Sequence, residues 1–94
     1  MRLEWLPQTQ NDFDEIIDYI AEDNPLSAIE QGDEIESQVA GLLDNRQHGR
    51  PGRVKGTREL VIVRTPYIAV YRIKKEAILI LRVFHGARLW PERF

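Results

Sequence analysis

The sequence predicts an α+β fold: an N-terminal strand, an antiparallel helical hairpin, then a three-stranded antiparallel meander forming a small sheet. Three observations carry this. Apolar residues recur at helical spacing through the first half. Asn24-Pro25 interrupts that pattern once, as a capping residue followed by a first-turn proline does. The second half is rich in β-branched residues and punctuated by Gly and Pro. The order strand, helix, helix, strand, strand, strand places the hairpin on one face of the sheet.

Residues 2–6 alternate polar and apolar and read as a short strand that Pro7 limits. Thr9 followed by Asp12 resembles a capping box, with Asp in place of Glu. Phe13, Ile16, Ile17 and Ile20 then form one apolar helical stripe, and Asp14, Glu15, Asp18 and Glu22 lie mostly off it. A second helix is expected from Pro25 to about Asn45. Its stripe is Ala28, Gly32, Ile35, Val39 and Leu42, with Leu43 beside it. Gly32 costs a helix about 1 kcal/mol relative to Ala, and its lack of a side chain lets another element approach closely.

Residues 47–54 read as a loop, because Gly49, Pro51 and Gly52 fall within eight positions. Three strands follow. Residues 55–64 contain Glu-Leu-Val-Ile-Val. Thr65-Pro66 turns the chain, and Pro66 fits only a strand start or edge. Residues 67–74 form the next strand, and Lys75-Glu76 a tight hairpin turn. Residues 77–85 are almost continuously apolar and read as a central strand buried on both faces.

The 94 residues make one domain, 1–94, with one modest core. The chain has no Cys, so disulfide and thiolate chemistry are excluded, in keeping with a cytoplasmic location. No apolar stretch is long enough for a membrane span, and no signal-peptide pattern opens the sequence, so no membrane partner is expected. The charge is divided. Residues 1–45 hold 12 of the 15 acids and a single base, Arg2; residues 46–94 hold the other 12 Lys and Arg against three acids. The halves carry −11 and +9 while the whole sums to −2. The basic half is therefore the part expected to meet an anionic partner.

The basic residues of the sheet half are Arg58, Arg64, Arg72, Lys74, Lys75, Arg82 and Arg88. Strand alternation groups Leu60 and Ile62 with Arg58 and Arg64, Ile68 and Val70 with Arg72, and Ile80 and Phe84 with Arg82. Arg82 stands inside an apolar run, where a guanidinium needs either a paired carboxylate or an anion to grip. His85 closes that run before Gly86. Its ordinary pKa suits acid–base work near neutrality, and hydrogen bonding to the sheet or tail is the competing reading. His48 sits in a Gly/Pro loop and reads as solvated. His48, His85 and Glu59 match no metal-ligand spacing. Trp90-Pro91 reads as a packing plug, and Trp5, Tyr67 and Tyr71 as core. No phosphate-binding Gly loop, nucleophile elbow or Ser/His/Asp arrangement is present, so no cofactor and no metal are expected.

One series of motifs runs through the second half. It comprises Gly-Arg-Pro-Gly-Arg-Val at 49–54, Gly-Thr-Arg-Glu-Leu-Val at 56–61 and Thr-Pro-Tyr-Ile-Ala-Val-Tyr-Arg at 65–72. Leu-Arg-Val-Phe-His-Gly-Ala-Arg at 81–88 and Trp90-Pro91 complete it. With the Trp5 strand and the acidic helical pair, the chain resembles the RelE/ParE superfamily of toxins from bacterial type II toxin–antitoxin (plasmid stabilisation) modules. The resemblance implies a growth-inhibiting toxin held inactive by a cognate antitoxin. It implies that the antitoxin's C-terminal segment wraps the toxin and that operator DNA is bound only through the antitoxin.

Two actions are known in that superfamily: ribosome-dependent mRNA cleavage (an mRNA interferase, RelE-like) and inhibition of DNA gyrase (ParE-like). Cleavage requires a base, an acid and cations on the developing phosphate charge. On the RelE-like reading His85, Arg82, Arg88, Arg72 and Glu59 are the catalytic candidates, with ribosome and mRNA as partners. On either reading Arg58, Arg64, Arg72, Arg82, Arg88 and Trp90 are the candidates for binding antitoxin or target. Two departures favour the gyrase inhibitor. Ile68 stands where the RelE-like branch usually carries an Arg, and Gly86 follows His85 where some members end in His-Tyr. The acidic helical half points the same way, since ribosomal RNA favours proteins basic throughout. A third reading is a non-toxic relative that only binds the antitoxin.

Overall fold

The computed structural model describes residues 1–88 and Trp90. Strand β1 (Arg2–Trp5) leads into α1 (Pro7–Asp23), α2 (Pro25–Ala40) and a 3-10 turn (Gly41–Leu43). Strands β2 (Arg50–Pro51), β3 (Arg58–Val61), β4 (Tyr67–Ile73) and β5 (Ala77–His85) follow. They form one five-stranded sheet in the order β1-β5-β4-β3-β2. β1 runs parallel to β5, and every other neighbour is antiparallel. The α+β class and the final meander are those the sequence predicts. Pro91, the second half of the Trp90-Pro91 pair, lies outside the described residues.

The helical hairpin turns on a single residue. Asn24 is in an extended conformation, closes α1 with its N–H on the Ile20 carbonyl, and caps α2 by accepting the Ser27 N–H at 3.0 Å. Pro25 then takes the first helical position, where a missing N–H costs nothing. Gly32 faces α1 so closely that a Cβ there would lie 2.9 Å from Ile17 Cδ1, which accounts for glycine on the buried stripe.

The helix start differs from expectation. α1 begins at Pro7 with Leu6 as its cap, and no side chain caps it. Thr9 and Asp12 do not form a capping box; both are buried, because they turn toward the sheet. α2 ends at Ala40, and the residues expected to complete it tighten into the 3-10 turn. In the segment read as a loop, Arg50 and Pro51 pair with Glu59 and Arg58 as a two-residue edge strand. The edge is where a proline in a sheet is tolerated.

The sheet separates two apolar layers. On the helical face Ile35, Val39 and Leu42 pack with Leu60, Ile62, Tyr67, Ala69, Tyr71, Ile78, Ile80 and Val83. On the opposite face a smaller cluster of Val70, Leu81 and Phe84 is joined by Leu6, Leu79 and Trp90. β5 is interior to the sheet, and its side chains serve both layers, as its unbroken apolar sequence requires. Between Val70 and Tyr71 the β4–β5 register shifts: Arg82 pairs with Val70 but Ile80 with Tyr71, leaving Leu81 as the extra residue of a bulge. The bulge breaks the predicted grouping of Ile80 with Arg82 and Phe84. Ile80 enters the helical core and Phe84 the opposite cluster.

Candidate functional site

β5 extends beyond the end of β1, and this exposes part of its backbone edge. The first turns of α1 cover it. Leu6 N–H and Thr9 Oγ1 both donate to the Ile80 carbonyl. The Asp12 carboxylate accepts from Val83 N at 3.0 Å, so a side chain stands in for the missing strand. The same carboxylate receives Arg82 Nε at 2.6 Å and Nη2 at 2.8 Å. Asp12 is buried and Arg82 retains only 20% of its side-chain exposure. The hydrogen bond to Asp12 raises the Arg82 pKa above its ordinary value, outweighing the opposing effect of burial, with lesser Coulombic support from Asp12 and Glu15. Arg82 is thus a structural partner of α1, and its guanidinium also lies 4.6 Å from the Phe84 ring centre.

A cleft of about 290 Å³ opens between α1 and the adjoining ends of β4 and β5. Asp12, Glu15, Ile16 and Tyr19 form its helical wall; Tyr67, Val83, His85 and Arg88 form the other. Tyr67 and His85 meet edge to face, with ring centres 5.7 Å apart. Burial, reinforced by Tyr19, pushes the Tyr67 hydroxyl pKa upward. His85 is exposed, and its Nδ1 accepts the Ala87 N–H at 3.1 Å. That bond assigns the proton of the neutral ring to Nε2.

Glu59 lies on the other side of the sheet. It pairs across β4 with Val70, whereas His85 pairs with Tyr67, three positions away, so the two side chains leave opposite faces. Glu59 is 2% exposed and both its oxygens are occupied. Oε1 takes Arg50 Nε at 3.2 Å and Nη2 at 3.0 Å, and Oε2 takes the Arg53 backbone N–H at 2.8 Å. Arg53 Nε adds an ion pair at 3.6 Å. The buried carboxylate thereby fastens the 46–57 loop to the sheet. Tyr71 fastens it a second time: its hydroxyl donates to the Arg46 carbonyl at 2.8 Å and accepts the Gly49 N–H at 2.9 Å.

The loop carries Arg53 onto Trp90, with the guanidinium carbon 3.9 Å from the ring centre. Trp90 meets Phe84 at 5.1 Å, and Arg88 lies 4.9 Å from the Phe84 ring. An aromatic pair flanked by three guanidinium groups therefore tops the sheet face opposite the helices, each contact of the cation–π type. Arg72, two residues beyond Val70 on β4, bonds the Gly56 carbonyl at 3.3 Å. The other sequence candidates are held elsewhere. Arg58 Nη2 binds the Gln47 and Gly49 carbonyls. Arg64, at φ 70°, makes a two-bond ion pair with Glu34 of α2. Glu15 and Tyr19 carry no sequence motif that singles them out, Arg53 stands only within the 49–54 series and Asp12 reads as a cap; the proximity of all four to the candidates exists only in the folded chain.

Among the described residues no group of three His, Asp or Glu could hold a metal ion. No helix among them is long and apolar enough to cross a membrane.

Comparison with known proteins fits this architecture. Residues 3–90 match the family model of the ParE toxin of type II toxin-antitoxin system, parDE. The chain is 40% identical over 91 residues to "Putative toxin Y4kP" of Sinorhizobium fredii (strain NBRC 101917 / NGR234), covering 97% of this chain and 94% of that protein. It superposes on a solved chain of the "Chromosomal ParDE TA system from P. aeruginosa" with a TM-score of 0.83 and 34% identity, over 90% of this chain and 95% of the other. The chain belongs to the ParE toxin family of type II toxin–antitoxin systems.

Proposed function

We propose that this toxin is neutralised by a cognate antitoxin and acts, when released, as a non-catalytic inhibitor of DNA gyrase. The observation that carries the non-catalytic reading is the separation of the groups that RNA cleavage would require. A general acid–base pair has to reach one phosphate from hydrogen-bonding distance. Glu59 and His85 face opposite sides of the sheet, and Glu59 is enclosed by Arg50 and Arg53. Arg82 is bound to Asp12, and Ile68, where a phosphate-binding Arg would stand, is buried with 6% exposure.

The antitoxin belongs on the face opposite the helices. There Trp90, Arg53, Arg72 and Arg88 combine an aromatic anchor with cations, the composition that gives an interface both adhesion and charge selectivity. Within the sequence-derived set, Arg72, Arg88 and Trp90 are the docking groups; Arg58, Arg64 and Arg82 hold the fold in place. The purified toxin, tested side by side on gyrase supercoiling and on programmed ribosomes, is expected to block supercoiling and leave mRNA intact. Codon-positioned mRNA cuts with normal supercoiling would overturn the reading. Unimpaired growth on expression without antitoxin would reduce the protein to an antitoxin-binding relative.

A further inference from the structure

Arg2, Lys74 and Lys75 are brought together at one end of the sheet, away from the aromatic stack and the His85 cleft. The backbone makes the cluster. Arg2 pairs with Ala77 in the β1–β5 ladder and its N–H bonds the Glu76 carbonyl at 3.1 Å. Lys74 N–H closes the β4–β5 turn on the Ala77 carbonyl at 2.8 Å. Two adjoining shallow depressions result, one lined by Met1, Arg2, Lys75 and Glu76, the other by Arg2, Lys74, Lys75, Glu76 and Ala77. All three cations are exposed, and none forms an ion pair among the described residues. Glu76 is the one carboxylate in the lining, so the end of the sheet is net positive.

We infer that this end of the sheet binds the phosphate backbone of duplex DNA, independently of operator recognition and of the target assigned above. The lining decides among polyanions. A protein interface needs an apolar core and aromatic or other large anchors, and these depressions offer only Met1 and Ala77. A single strand needs aromatic platforms for its bases, and the lining has no ring. A duplex backbone needs cations alone, because phosphate contacts position a protein without reading sequence. The consequence is weak, sequence-independent binding that would hold the toxin near DNA.

The test is fluorescence anisotropy of a labelled mixed-sequence duplex with the purified full chain over a salt series. Wild type is expected to bind with Kd of roughly 1–100 µM at physiological salt, without sequence preference. Replacing Arg2, Lys74 and Lys75 together by Gln should make the slope of log K against log salt shallower by about 2.7, at about 0.9 per phosphate neutralised. Glu76→Gln should tighten binding, since it removes the one carboxylate among the lining residues. Lys74→Gln with Lys75→Gln should weaken binding more than Arg46→Gln with Lys55→Gln, which removes the same charge from the exposed loop. Circular dichroism and thermal unfolding verify that each variant is folded. No duplex binding by wild type at low salt, an unchanged slope in the triple variant, or equal loss in the two double variants would overturn the assignment. Poly-glutamate bound as tightly as the duplex at matched salt would overturn it as well.

Discussion

Asp12 and Arg82, 70 residues apart in sequence, form a two-bond ion pair at 2.6 and 2.8 Å, and the same carboxylate holds the Val83 backbone N–H at 3.0 Å. One side chain thus neutralises an arginine inside an apolar strand and completes the hydrogen bonding of that strand's open edge. Asp12→Ala is expected to cost about 2–4 kcal/mol in urea unfolding, because it strands a largely buried cation and a buried N–H together. Arg82→Met in the same background should recover part of the loss. Additive losses in the double-mutant cycle would show that the pair is not coupled.

Glu34 and Arg64 tie α2 to the β3–β4 turn. The Arg64 hydrogen bonds, helped by Gln38, lower the Glu34 pKa from 4.5 to about 2. A carboxylate with a depressed folded-state pKa contributes stability that is fully present above its unfolded value and is lost as pH falls through the folded one. The difference in Tm between wild type and Glu34→Gln should therefore be constant above pH 4.5 and shrink toward zero by about pH 2. The pair is exposed, so the difference is small. A difference that did not vary across this window would contradict the assignment.

Tyr71→Phe removes the hydroxyl that joins the Arg46 carbonyl and the Gly49 N–H. Leaving these groups unpaired should cost about 1–3 kcal/mol. The Gly49 amide should exchange with solvent faster in the variant, as read by NMR. The hydroxyl is packed closely on the loop, since a Cβ on Gly49 would lie 2.6 Å from it.

His85→Ala distinguishes inhibitor from nuclease within the toxin itself. A proton-transferring histidine contributes roughly 10²–10⁴-fold to a rate. On the gyrase reading growth arrest and supercoiling inhibition persist in the variant, because His85 then only lines the cleft beside Tyr67. A loss of about 100-fold or more in an RNA-cleavage assay would instead give it a catalytic role.

Trp90→Ala should weaken antitoxin binding beyond any loss of stability from its packing on Phe84, measured by calorimetry of the pair under conditions where urea denaturation shows the variant toxin to be folded. An aromatic anchor truncated at an interface typically costs about 2 kcal/mol or more. Unchanged affinity would move the antitoxin off this face.

Both helices, the hairpin break at Asn24-Pro25 and the bounds of β5 were legible in the sequence, because each depends on spacing within a few residues. Phe13, Ile16 and Ile20 lie at helical intervals whatever they touch. Asn24 needs only the Ser27 N–H three residues away. The motif series 49–54, 56–61, 65–72 and 81–88 carried the family as well. Thr9 and Asp12 show where local reading failed. Their spacing fits a capping box, but burial against β5 offered them the Ile80 carbonyl, the Val83 N–H and Arg82 instead.

By itself the sequence determined the fold class and the division of charge, which follow from local order and composition, and its motif series carried the resemblance to the toxin family. The tertiary structure alone decided which arginines are spoken for: Arg82 by Asp12, Arg64 by Glu34, and Arg58 by the loop carbonyls. It also decided that Glu59 and His85 lie on opposite faces, and that the Leu81 bulge separates Ile80 from Phe84. The physical reason is the same in each case. An ionisable side chain takes its role from the partner that neutralises it, and here those partners arrive from elements distant in the chain. The strand period that assigns faces holds only until one extra residue shifts the register.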